Sequence, residues 1–191
     1  MDAALNMDKY GKGHTVDMIE ALPEGKRAEI IDGVWYDMAA PSATHQMLVG
    51  AIYAEIRNHI KQKNGKCRTF VSPFAVYINN DEYNYLEPDV MVVCDPGKID
   101  EKGCHGAPDL VVEVVSPSSR MNDYIMKLSK YAASGVKEYW IVDPDSRITS
   151  VYTFDNDRND GGFDLKQYAF DKPVPSYIYR GLSIAMEEEI Q

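Results

Sequence analysis

A chain of 191 residues with 45% hydrophobic and 26% charged content has the make-up of an ordinary globular protein and can bury one sizeable core. Its formal charge of −10 excludes a protein that holds nucleic acid through a generally basic surface. Work on DNA would then need a local patch or a bound cation to offset the field.

No stretch approaches the ~20 apolar residues of a membrane span, and the polar first residues do not read as a signal peptide. Cys67, Cys94 and Cys104 are odd in number and lack CxxC spacing, so a reduced, cytoplasmic protein with ordinary thiols is expected.

In chain order, Thr15 can cap a short helix over residues 16–21, closed by Leu22-Pro23. Residues 28–31 and 34–36 flank Asp32-Gly33 as a hairpin with a two-residue turn. Pro41-Ser42 opens a long helix to about residue 63, with Leu48, Ile52, Ile56 and Ile60 on one face and Gly65 past its end. Strands are predicted at 67–72 and 74–78, a polar turn at 79–84 and a strand at 89–94. Residues 95–107 read as a Gly-rich loop.

Residues 110–115 form the most strand-like segment. Ser116 to Ser119 cap a helix to Ser134, ended by Gly135, and a strand follows at 138–142. A turn over 143–146 leads to strands at 148–154 and 163–170, joined by a loop at 155–162. The helix between 115 and 138 is a crossover, which makes its flanking strands parallel neighbours. We therefore expect an α/β fold with a central mixed sheet flanked by helices, carrying an N-terminal hairpin and added C-terminal strands. Without repeats or linkers it is read as a single domain over 1–191, with 1–14 and 187–191 as flexible ends.

The chemistry is announced by Asp109-Leu-Val-Val-Glu113-Val-Val115. Apolar residues on both faces mark a doubly buried strand, yet Glu113 stands at its centre. A carboxylate there must be protonated, paired or cation-bound. Alternation puts Asp109, Val111, Glu113 and Val115 on one face. An Arg or Lys partner in the core is the alternative to a metal. Asp89, behind Glu87-Pro88, begins another buried strand. Alone it is often strand-end punctuation; beside Glu113 it forms an oxygen pair suited to Mg²⁺ or Mn²⁺. On the following helix Asp123, Lys127 and Tyr131 recur every four residues. Spacing alone leaves an exposed ion pair and a functional lysine equally open, but Lys127 lies within reach of Glu113.

Taken together, Ala28–Gly33, His45, Ser72-Pro73-Phe74, Pro88-Asp89-Val90, Pro108-Asp109-Leu-Val-Val-Glu113-Val-Val-Ser-Pro-Ser118, Asp123…Lys127…Tyr131 and the run from Gly135 to Pro144 resemble the Uma2 family. That family belongs to the PD-(D/E)XK nuclease superfamily of restriction-endonuclease-like proteins, whose core order of helix, three strands, helix and strand is the one read above. The resemblance implies Asp89 as the first motif acid and Glu113, 113 − 89 = 24 residues on, as the second. Val115 stands where the superfamily lysine would be, which puts Lys127 forward in its place. Glu29 is the candidate for the additional acid.

The implied function is Mg²⁺- or Mn²⁺-dependent hydrolysis of DNA. Catalysis would rest on Asp89, Glu113, Lys127 and Glu29, with the ion held by Asp89, Glu113 and the Val114 carbonyl. A homodimer could pair through the aromatic C-terminal strands (Tyr152, Phe154, Phe163, Tyr168, Phe170), although core packing explains those rings equally well. The rival is a non-catalytic nuclease fold kept as a binding or interaction module.

Overall fold

The computed structural model describes residues 11–78, 81–154 and 162–187. Its elements are α1 (Val16–Glu20), β1 (Ala28–Ile31), β2 (Val34–Asp37), α2 (Ala43–Gln62), β3 (Arg68–Val71), β4 (Ala75–Tyr77), β5 (Val90–Val93), β6 (Gly103–His105), β7 (Leu110–Val114), α3 (Leu128–Ser134), β8 (Glu138–Asp143), β9 (Ile148–Phe154), β10 (Phe163–Ala169), β11 (Val174–Pro175) and β12 (Ser183–Ile184). Six strands form one mixed sheet in the order β10-β9-β8-β7-β5-β3, with β7 and β8 parallel across the helical crossover as expected.

Strand parity builds two cores. Val90, Val92, Leu110, Val112 and Val114 face α2, which presents Leu48, Ile52, Ile56 and Ile60. Met91, Val93, Val111 and Val115 face the other way, toward Tyr131, Tyr139 and Ile141. Glu113 alternates with Val112 and Val114 and so lies on the second face. The Ser42 side chain accepts the His45 backbone N–H at 3.2 Å and sets the start of α2 beside the ends of β5 and β7. In the β1–β2 hairpin, Asp32 and Gly33 both have positive φ, the requirement of a tight type I′ turn.

The sequence reading needs correction in three places. The predicted loop at 95–107 contains β6, which pairs in parallel with β4 outside the main sheet. The three core strands are thus β3, β5 and β7. The helix after Ser119 is not uniformly α: residues Asn122–Lys127 are π-helical before α3 begins. Finally, Cys67 and Cys94 are not ordinary thiols. Arg68 pairs with Val93 in the antiparallel register, so the flanking cysteines stand opposite each other and are joined as a disulfide. Cys104 remains a buried thiol, its pKa pushed up to about 11 by burial.

Most of the ends expected to be flexible, residues 1–10 and 188–191, lie outside the described residues, as does most of the loop at 155–162. Gly13 and His14, however, donate backbone N–H bonds to the Gly33 carbonyl at 3.1 and 3.0 Å. No helix among the described residues is long and apolar enough to cross a membrane.

The C-terminal segment is tied to the sheet by a buried carboxylate. Glu138 accepts from Trp140 Nε1 at 2.6 Å, Ser176 Oγ at 2.9 Å and the Ile178 N–H at 3.0 Å, and from the Tyr177 N–H. Glu138→Gln turns one acceptor into a donor among these donors. It should lower the unfolding free energy by about 1–2 kcal/mol in urea denaturation, with an unchanged m-value.

Candidate functional site

At the C-terminal end of β7 the buried strand meets α2, β1 and the π-helical turn. β7 brings Glu113, β1 brings Glu29 and α2 brings His45, while the π-helical turn brings both Asp123 and Lys127. Lys127 Nζ lies 2.9 Å from Glu29 Oε2, 3.0 Å from Glu113 Oε1 and 3.5 Å from Asp123 Oδ1. Lys127 is only 4% exposed, so the exposed i,i+4 ion pair is excluded. Tyr131 OH donates to the same Glu113 oxygen at 3.1 Å.

The π-helical turn explains how Asp123, Lys127 and Tyr131 converge. In an α-helix each four-residue step drifts by roughly 40°, so three such residues would fan out. The wider π turn between 122 and 127 offsets that drift. The sequence-level stripe is real, and its focus on Glu113 depends on a local departure from α geometry.

Asp89 sits one residue before β5. Its Oδ2 accepts the Val114 backbone N–H at 2.8 Å and lies 3.2 Å from His45 Nε2. Asp89 and Lys127 therefore approach β7 from neighbouring elements, with Glu113 and Val114 between them in sequence. Glu29 is also brought in. Its Oε1 accepts the Glu87 N–H at 2.9 Å, so one carboxylate spans the segment leading to Asp89 and the lysine. Glu87 is held in turn by Arg27, whose Nε donates at 2.8 Å, and by Tyr85 OH at 2.8 Å.

The electrostatics follow from three buried carboxylates sharing one ammonium. Burial disfavours the charge on Lys127, but Glu113, Glu29 and Asp123 outweigh it and hold its pKa well above the lysine value. Burial pushes Glu113 well upward, with Asp123, Asp89 and Glu29 adding to the effect against Lys127. Asp123 is raised by burial too, although Lys127 and the Ser119 hydroxyl at 2.6 Å oppose it. Burial lowers His45, yet Asp89 and the Val114 carbonyl raise it overall. The neighbouring acids favour the charged lysine, while burial and mutual repulsion disfavour ionisation of Glu113 and Asp123.

Two buried atoms here have no hydrogen-bond partner, His45 Nδ1 and Asp123 Oδ1. Both residues border a cleft of about 850 Å³ that also reaches Arg27, Tyr36, Ser72 and Ser116. Carboxylates outnumber the cleft's cationic side chains, Arg27 and Lys127, and each of these two is already paired. Among the described residues no three His, Cys, Asp or Glu side chains stand together as a ready-made metal group. The ammonium of Lys127 is inserted between Glu29 and Glu113.

The sequence reading gave no role to His45 or Asp123. Glu29, which the resemblance had put forward, lies in a strand buried at every position, as Glu113 does. Nothing in the sequence gave the orphaned atoms away, because they depend on how four separate segments close over one another.

Comparison with known proteins gives the family and the fold. A Synechocystis sp. protein described only as uncharacterized is 30% identical over 171 residues, spanning 83% of this chain and 86% of its own length. The crystal structure of a protein from Anabaena variabilis, described as a "putative nuclease belonging to DUF820", superposes with a TM-score of 0.72 at 20% identity. It covers 93% of this chain and 98% of its own, and shows the same fold. The sequence pattern described as "Uma2: Putative restriction endonuclease" matches residues 16–187, and the chain belongs to that nuclease family.

Proposed function

We propose that the protein is a divalent-cation-dependent endonuclease that hydrolyses phosphodiester bonds of DNA. One observation carries the reading. Lys127 reaches Glu113 at 3.0 Å from the helix, although Val115 stands where a strand lysine would. Together with Asp89 on the Val114 N–H, this assembles two strand carboxylates and a lysine at one strand end.

The residues fit a hard cation by their chemistry. The surrounding donors are carboxylate and carbonyl oxygens, the excess of buried negative charge calls for a counter-ion, and Asp123 Oδ1 is a buried acceptor without a donor. Asp89, Glu113 and the Val114 carbonyl would hold Mg²⁺ or Mn²⁺. When bound, such an ion polarises a phosphoryl oxygen and lowers the pKa of a coordinated water.

The chain's own residues supply the rest. Lys127 offers positive charge to a phosphate oxygen as it gains charge. Glu29 and Tyr131 fix Lys127 and Glu113. A cation also answers the acidity of the cleft, since Arg27 and Lys127 are already paired.

A homodimer completes the reading. Tyr152, Phe154 and Phe170 are buried in the core, which leaves the half-buried Tyr168 and exposed Phe163, with Leu165, on edge strand β10 for a second copy. The acidic cleft is the feature that favours the other reading, a non-catalytic nuclease fold serving as a binding module.

The test follows melting with and without Mn²⁺ for the wild type and Asp89→Ala, with plasmid cleavage in parallel. The wild type should gain stability through mass action and cleave. Asp89→Ala should melt lower by the loss of its bond to Val114, show no Mn²⁺ response and leave plasmid intact. An equal Mn²⁺ shift in both proteins would overturn the site. A shift without cleavage would favour the binding module.

A further inference from the structure

Asp123 is not among the residues assigned to hold the cation. The residue is 1% exposed, Ser119 Oγ fixes its Oδ2 at 2.6 Å, and Oδ1 has no hydrogen bond. A buried carboxylate oxygen left this way is costly unless it has a use in another state. Lys127 Nζ stands 3.5 Å away and is already bonded to Glu113 at 3.0 Å.

We propose that Asp123 is a positioning residue, the acceptor to which the Lys127 ammonium moves when Glu113 is given over to a cation. The inference rests on the metal-dependent reading above. Lys127 and a cation compete for Glu113, because both draw on the same carboxylate in a confined space. Without another acceptor, freeing Glu113 would leave a buried ammonium poorly paired and weaken cation binding. Asp123 lies one π turn back on the same helix, so a side-chain torsion of Lys127 suffices and no backbone movement is needed. Glu29, bonded to Lys127 in either arrangement, keeps the ammonium in the site during the exchange.

The coupling is measurable as a double-mutant cycle in Mn²⁺ affinity, read by titration calorimetry on wild type, Asp123→Asn, Lys127→Met and the double variant. Asp123→Asn alone should weaken Mn²⁺ binding about tenfold, as for the loss of one coupled charged contact. In the Lys127→Met background, with no ammonium to relocate, the same change should leave Mn²⁺ affinity unaltered. Equal weakening in both backgrounds overturns the proposal, since Asp123 would then act on the ion or the fold directly. If Lys127→Met does not fold, Glu29→Gln replaces it as the second background. There Lys127 depends more on Asp123, so Asp123→Asn should cost more than tenfold, and an equal or smaller loss overturns the proposal. A wild type that binds no Mn²⁺ sinks the metal reading itself. Binding without coupling sinks only the role of Asp123.

Discussion

Lys127→Ala should lower the apo unfolding free energy at neutral pH by about 3–5 kcal/mol. It should also cut Mn²⁺-supported DNA cleavage by on the order of 10²–10³. The first effect follows from burial. Lys127 is the one ammonium between Glu29, Glu113 and Asp123, all buried, and removing it leaves three carboxylates facing one another. The loss must depend on pH. With no lysine opposing them, Glu113 and Asp123 would sit further above their unfolded pKa than they already do. A carboxylate raised in the folded state contributes stability that is present below its unfolded pKa and is lost as pH rises through the folded one. The variant should therefore approach wild-type stability near pH 4–5 and fall behind it toward pH 8, in denaturant titrations at both. Lys130→Ala provides the contrast. Lys130 is paired with Asp32 nearer the surface and should cost no more than about 1 kcal/mol, with cleavage unchanged. A Lys127→Ala protein as stable as wild type at pH 8 would contradict the buried pairing.

Burial among three carboxylates makes Lys127 part of the fold as well as of the candidate site. Spacing of four residues places Asp123, Lys127 and Tyr131 on one stripe but does not say whether the stripe faces solvent. Burial of Glu113 was legible because charge in a doubly apolar strand breaks a strong pattern, and Asp89 was legible once Glu113 was recognised. Glu29 was reached only through the resemblance, although its strand breaks the same rule. The π turn left no trace in the sequence: residues 122–127 fit an α-helix equally well, and the wider turn follows from packing against Glu113 and Tyr139. The pairing of β4 with β6 was hidden for another reason. Strand β6 is three residues in a glycine-containing loop, below the length at which alternation becomes readable. The disulfide required knowing the β3–β5 register, which sequence spacing does not provide.

Glu113→Gln should leave the apo protein at least as stable as wild type at pH 8 and abolish the stabilisation that Mn²⁺ confers. Burial and the neighbouring acids Asp123, Asp89 and Glu29 raise the pKa of Glu113 despite the ammonium beside it. As pH rises through that raised value, ionisation of Glu113 costs wild-type stability, whereas a glutamine does not titrate. The amide oxygen can still accept from Lys127 and Tyr131, so the two donors on Oε1 keep an acceptor. Nor is Lys127 stranded, because Glu29 and Asp123 remain within 2.9 and 3.5 Å. The advantage of the variant should therefore grow from pH 5 to pH 8. With a cation the order reverses. Wild type gains about 2.7 kcal/mol at an ion concentration one hundred times its Kd, while the variant, short of a charged ligand, gains nothing. Urea titrations of both proteins at pH 5 and pH 8, with and without Mn²⁺, give all the required differences. If apo Glu113→Gln instead falls several kcal/mol below wild type at pH 8, the Glu113–Lys127 contact is a structural ion pair whose attraction exceeds the repulsion of the surrounding acids, and Glu113 is not held in readiness for a metal.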